Sequence, residues 1–334
     1  MNRLDYAQNC VLARVYAKGM LDRARIDRMI NAADAQEAFR LLLETEYSKS
    51  SENVKDVHDY DNLLGNEIQR IYRLGEELLL DEEILKMIAY KYEFHNMRVI
   101  AKGLATGKNF EHLYLEVCSF RPKWVREQIE NGHYSNLPQY VEETLKKAME
   151  AYEMDKNPQA IDFSIDRDYF HNMVVTSQKI GVPMIEDYVK ALVDFYNVSA
   201  LVRAKKHGVA NLQNLDAMLV AGGDIDINKL KKLMNAEVDR IIELVKFGAK
   251  GKFMVKGLEA YKETGSLEVF EDSRADYLDL ISSETRYEHF GPEPIFAYLL
   301  QKERELSQVR IILISKLNGI SAAEIRERLG DEYV

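Results

Sequence analysis

The stretch EFHNMRVIAKGLATG, residues 93–107, decides how this chain is read. It holds an acid (Glu93), a large apolar residue directly after it (Phe94), an amide two further on (Asn96), an apolar pair (Val99, Ile100) and a glycine fourteen residues after the acid (Gly107). The pattern recurs as DYAQNCVLARVYAKG from Asp5, DFYNVSALVRAKKHG from Asp194 and ELSQVRIILISKLNG from Glu305, with amides Gln8, Asn197 and Gln308 and closing glycines Gly19, Gly208 and Gly319. The four copies begin 88, 101 and 111 residues apart. Recurrence at a domain-sized interval turns attention from a single active site to what a repeated architecture holds together.

Within each copy the apolar residues fall at the helical period. Phe94, Met97, Ile100 and Ala101, and likewise Phe195, Val198, Leu201 and Val202, span about 120° of a helix, the width of a core-facing stripe. The acid lies inside that stripe and the amide flanks it. A buried carboxylate needs a partner, so the spacing predicts a structural hydrogen bond in preference to a ligand.

Further helical stretches precede the later copies at 67–80, 165–180 and 269–287, and short amphipathic ones follow the glycines at 24–31, 123–129, 227–234 and 322–329. Breaks fall at 80–82, at Gly181 and Pro183, and at Gly291, Pro292 and Pro294, with proline near the next helix start. Connections are expected at 47–61, 132–139 and 221–226, with room for a short extended piece at 54–58 and 254–255. The first copy has no helix before it and the last stops soon after its glycine. Either three units carry an overhang or the two chain ends complete one unit together.

The expected organisation is all-α, with units at 1–80, 81–180 and 181–334. Composition supports this: among 334 residues 46% are hydrophobic and 30% charged, with 6 prolines and 17 glycines, enough apolar material for real cores and few helix breakers. The net charge of −10 disfavours nucleic acid as a partner. Cys10 and Cys118 fit neither a zinc spacing nor a disulfide framework, which points to a reducing compartment. Arg3, Asp5 and Arg14 interrupt the place where a signal peptide would carry its apolar core. The densest apolar window, 309–314, is broken by Arg310 and followed by Lys316, so no direct membrane span is expected.

Motifs for chemistry are missing in each class tested. Gly103, Gly107 and Lys108 resemble a phosphate loop, but three residues separate the glycines, Asn109 follows the lysine and the flank is helical. The lysine-rich turn 246–252, with Gly248 and Gly251, has the ingredients in the wrong order and reads as a solvated helix end. His58, Asp59 and Asp61 lie close together without an HExxH or paired CxxC, and His95 and His171 are lone helical histidines. The pairs Asp276 with Asp279 and Asp224 with Asp226 lack the doubled acid that magnesium-diphosphate enzymes use. Cys10 has no activating neighbour in sequence, and no GxSxG elbow exists. No catalytic, cofactor-binding or metal-binding residue is nominated, and no cofactor is expected.

The closing segment GPEPIFAYLLQKERELSQVRIILISKLNGISAAEIRERLGDEYV, residues 291–334, resembles the end of the C subunit of the bacterial and archaeal V/A-type rotary ATPases, the relative of the d subunit of eukaryotic V-ATPase. The residues that carry the resemblance are 292–296, Glu303, Glu305, 309–312, Lys316, Leu317, Asn318, Gly319, Ile325 and Arg326. Tyr6, Ala13, Arg14, Leu21 and FRLLLETEY (39–47) are similar to that family's opening helices, and Asp166, Arg167, Tyr169 and Phe170 to its middle repeat. The first copy of the signature departs from the others at Asn9, where they carry an apolar residue.

The resemblance implies three similar helical bundles in a pseudo-threefold funnel. It also implies a non-catalytic rotor part that joins the central-shaft subunits to the membrane proteolipid ring and transmits torque, coupling ATP hydrolysis or synthesis to H⁺ or Na⁺ transport at the cytoplasmic face. Individual partner-contact residues are not assigned. An unrelated helical-repeat scaffold is the alternative, but it would show near-uniform repeats of about 34–47 residues. An all-helical enzyme would need the motifs that are missing.

Overall fold

The computed structural model describes residues 2–115, 117–206, 215–216, 218–285 and 288–330. Every regular element among them is helical. A 3₁₀ turn, Arg3–Tyr6, runs into α1 (Ala7–Ala17), followed by α2 (Arg23–Asn31), α3 (Ala35–Leu43) and α4 (Tyr60–Leu78). Then come α5 (Glu82–Thr106), α6 (Pro122–Glu130), α7 (Gln139–Asp155), α8 (Pro158–Ile180) and α9 (Pro183–Lys206). The chain continues through α10 (Ile227–Lys232), α11 (Val238–Val245), α12 (Gly251–Thr264), α13 (Glu268–Glu284), α14 (Glu293–Leu317) and α15 (Ala322–Leu329).

Local chemistry sets most of these boundaries. The carboxylates of Asp22, Asp34 and Asp226 accept from the backbone N–H of Arg25, Glu37 and Asn228, and Asn157 does the same for Gln159, so four helices start on side-chain caps. At α15, Ser321 and Glu324 form a reciprocal capping box. Prolines open α6, α8 and α9, where the missing N–H is no loss. The helix predicted at 67–80 extends from Tyr60 to Leu78 and that at 165–180 begins at Pro158; residues 286–287 of the stretch 269–287 lie outside the described residues. The extended pieces do not form: Met254 and Val255 lie within α12, and residues 57–59 are a 3₁₀ turn. Both stretches are too short to override the helical period on either side.

Residues 1–85 together with 278–334 make one compact unit, and 86–277 make the other. In the first, α14 packs on α1, α2, α3, α4 and α15. Leu306, Val309, Ile312 and Leu313 of α14 share one core with Ile26, Met29, Ile30, Phe39 and Leu42. The two chain ends thus complete a unit between them. Each such fully buried side chain contributes about 1.5–3 kcal/mol.

In the second unit, α7 and α8 pair across a two-residue connection and α8 packs on α9. The stripe Phe195, Val198, Leu201 and Val202 of α9 packs with Leu230, Ile241, Met254, Leu258 and Phe270. Phe94, Met97, Ile100 and Ala101 of α5 are all buried as well. The apolar face predicted for the signature helices that begin at Glu93, Asp194 and Glu305 is therefore the face that is buried.

Candidate functional site

On α5 and α9 the acid and amide of the signature are the most deeply buried polar side chains, and on α14 the acid is buried as well. Glu93, Asn96, Asp194 and Asn197 have no exposed surface, and Glu305 is 2% exposed. In each case the acid accepts a backbone N–H just before the short helix that follows a signature helix. Glu93 accepts from Ser119 N at 2.9 Å, three residues before α6. Asp194 accepts from Asp224 N and Ile225 N, both at 3.0 Å, ahead of α10. Glu305 accepts from Leu21 N at 2.5 Å, two residues before α2. A carboxylate held there satisfies donors that would otherwise be orphaned and sits close to the positive end of the short helix.

The amides complete the joint. Asn96 donates to Leu115 O at 2.8 Å and accepts from Leu115 N at 2.9 Å. Asn197 makes the same pair of bonds with Val220, at 2.8 and 2.9 Å. An amide is the side chain that can give and take one hydrogen bond from a single extended residue, which accounts for its place in the pattern. On α5 and α9 the acid and amide therefore bracket a connecting loop onto the signature helix, and on α14 Glu305 holds the loop before α2. The partners are loop backbone and not the helical wall itself. The loop at Asp194 also needs Gly223, because a Cβ there would lie 2.0 Å from Asp194 Oδ1. Gly319 closes α14 in the left-handed region at φ 69°, as a helix-ending glycine should; Gly208 lies outside the described residues.

The first copy does not share this geometry. Asp5 and Gln8 are exposed, Val11 is 57% exposed, and the Asp5 carboxylate accepts from Asn2 Nδ2, at 3.1 Å, within its own turn. Asn9, the departure from the pattern, donates to Leu78 O at 2.8 Å. The count of four signatures is thus corrected to three. The short helix that follows the first copy, α2, is bracketed instead by the acid of the last.

Further buried charge surrounds two of the joints. Lys302, 2% exposed, lies 2.5 Å from Glu305 Oε1 and 3.0 Å from Glu67 Oε1, with its ammonium 4.3 Å above the Tyr47 ring. Tyr47 donates to Glu305 Oε1 at 2.8 Å, while Arg70 and Ser50 donate to Glu67. Burial would raise the Glu67 carboxyl, but hydrogen bonds from Arg70 and Ser50 and the charge of Lys302 more than offset it and hold it below its ordinary value. Burial, then the charge of Glu305, pushes the Tyr47 phenol well up.

At the second joint Lys250 pairs with both Asp194 and Asp224. Burial pulls its ammonium down, and the two carboxylates more than reverse that, leaving it raised. The turn 246–252 is therefore not simply a solvated helix end: the Lys250 side chain is only 12% exposed. At Glu93, Tyr140 donates to Oε2 at 2.7 Å, and its phenol is raised by burial and then by the Glu93 charge. Sequence reading missed Glu67, Lys302 and Lys250. Glu67 was detectable as an acid inside the stripe Leu63, Leu64, Ile71 and Leu74.

The other residues weighed for chemistry have structural roles. Asp59 accepts from Lys55 N, and Asp61 pairs with Arg310. Asp226 caps α10, Asp276 faces Lys256, and Asp279 pairs with Arg304. Gly103 lies inside α5, where no phosphate-cradling loop can form. His95 bonds to Leu113 O and His171 is exposed. Among the described residues no group of three or more His, Cys, Asp or Glu side chains is placed to hold a metal, and both cysteines are free. No helix of these residues is long and apolar enough to cross a membrane.

Long helices, three loop brackets and buried charge paired within the joints define an all-α repeat protein whose polar interior serves its architecture. The chain belongs to the ATP synthase (C/AC39) subunit family, whose model matches residues 10–328. It is 22% identical over 331 residues to the C subunit of the V-type sodium ATPase of Enterococcus hirae, covering 99% of both chains. It is also 20% identical to the C subunit of the A-type ATP synthase of Methanocaldococcus jannaschii, over 96% of this chain and 85% of that one. The corresponding protein of Methanosarcina acetivorans is 24% identical over 97% and 92%.

Proposed function

We propose that the chain is a non-catalytic rotor subunit of a V/A-type ATPase, receiving the central shaft and seating it on the membrane proteolipid ring. The observation that carries this reading is the family match over residues 10–328, joined to relatives named as C subunits of such complexes that align along almost their whole length. The interior supports it mechanically. A part that passes torque has to resist shear, and close-packed helices whose connecting loops are bracketed by buried carboxylates and amides give that stiffness. In this reading three similar helical bundles, one of them completed by the two chain ends, form a pseudo-threefold funnel around the shaft, and the protein is peripheral at the cytoplasmic face. ATP turnover and ion binding belong to other subunits.

Expression of the chain with the shaft and ring subunits of the same complex tests the reading. Tagged chain should retain shaft and ring together, and complexes assembled without it should hydrolyse ATP without moving ions. Retention of neither partner, or intact coupling in its absence, would refute the assignment.

A further inference from the structure

A cleft of about 420 Å³ opens in the second unit between α7, α8, the loop before α10 and α10 itself. Its charged rim is Lys147, Arg167, Asp168, His171, Asp216 and Lys231. Two of the cations already have carboxylates: Lys147 lies 3.1 Å from Asp168 and Lys231 lies 2.8 Å from Asp216. Arg167 and His171 are exposed, and neither has a hydrogen bond or ion pair among the described residues. They are four apart on α8, so their side chains are neighbours on one helix face at about 5–6 Å between Cβ atoms. Three permanent cations against two carboxylates leave the rim positive on a chain whose net charge is −10.

The floor is apolar, with Leu219, Val220 and Ile227. It is also fixed. Val220 is the residue whose N–H and C=O are both held by Asn197, so the bracket that joins loop to helix sets the wall of the cleft. A planar guanidinium beside an imidazole, with two carboxylate-paired ammonium groups elsewhere on the rim, suits an anion of two charges and several acceptor oxygens better than a lone carboxylate.

We infer that this cleft binds a phosphoryl anion, either free phosphate or the terminal phosphate of a small molecule whose uncharged part lies on Leu219 and Ile227. The site does not depend on the rotor reading, since it uses only groups within the second unit.

Calorimetric titration of the full chain with inorganic phosphate, with ADP and with acetate tests this. Saturable phosphate or ADP binding is expected, with Arg167→Gln weakening it about tenfold or more and Arg167→Lys recovering part of the loss. Tighter binding of ADP than of phosphate assigns the site to an organic phosphate; equal binding assigns it to the free anion. Arg167 has no partner to lose among the described residues, so the melting temperature of Arg167→Gln should be unchanged; if it drops, His171→Gln carries the comparison. Absence of saturation with both phosphate and ADP, acetate binding as tightly as phosphate, or affinity unaltered by the folded variants would overturn the proposal.

Discussion

Replacing Asn197 by alanine should destabilise the chain about twice as much as the same replacement at Asn96, although both amides make the same two bonds. At Asn197 the partner Val220 is 3% exposed, so alanine leaves a buried N–H and a buried C=O without water to take them. At about 1–3 kcal/mol for each orphaned group, the loss centres on about 4 kcal/mol. At Asn96 the partner Leu115 is only partly buried, and water can replace the amide on both of its groups. Two net hydrogen bonds of about 0.5–1.5 kcal/mol each give a loss near 2 kcal/mol. The difference of about 2 kcal/mol is roughly thirtyfold in the unfolding equilibrium. Urea titration followed by far-UV circular dichroism and by Trp124 fluorescence reads it, since Trp124 is the sole tryptophan and lies in α6 of the same unit as both amides. The denaturant slope should stay constant between variants, so that the midpoint alone reports stability. Equal losses, or a larger loss at Asn96, would show that water does not discriminate between the loops and would refute the accounting.

Lys302→Met leaves Glu67 and Glu305 buried without their shared cation, and a loss of about 3–5 kcal/mol is expected in the thermal or urea transition. Adding Glu305→Gln to that variant should recover part of the loss, and a purely additive double variant would argue against the coupling. The pH profile has two flanks with defined signs. Glu67 titrates below its ordinary 4.5 in the folded chain, so its contribution is present above that value and is lost as pH falls through the lower folded value. Lys250 titrates above 10.5, so its contribution is full below that value and is lost as pH rises through the higher folded value. Urea midpoints across the range should therefore decline at both ends. Glu67→Gln should soften the acid flank and Lys250→Met the alkaline one, and flanks unchanged in both variants would count against these assignments.

Much of the fold was open to sequence reading because it rests on local signals. The period of Phe94, Met97 and Ile100 named the buried face, Gly181 with Pro183 marked a true break, and an acid inside an apolar stripe had to be bonded. The partners were closed to such reading. Ser119, Asp224 and Leu21 serve through backbone N–H, which every residue but proline carries and no side chain announces. The same limit produced the spurious copy at Asp5: its spacing matches, while exposure and partners are tertiary properties. Glu67 stands inside an apolar stripe, but its cation Lys302 is far away in sequence and is met only when packing brings the two together. The cleft beside α8 was equally hidden, because His171 reads as one solvent-facing histidine and Arg167 as part of a family motif.

The core shared by α2, α3 and α14 also fixes an order in time. Residues 86–277 are continuous and hold all the helices of their own core, so they can close as they leave the ribosome. The unit made by the chain ends cannot: Leu21 waits for Glu305, and Ile26, Met29 and Phe39 wait for Val309 and Ile312. At about 5–20 residues per second, synthesis of the intervening stretch holds the opening helices without their core for roughly ten to forty seconds. The amphipathic helices α2 and α3 are thus made well before the rest of their core and buried only once it follows, which makes the partly synthesised chain the form most exposed to aggregation and most in need of chaperone cover.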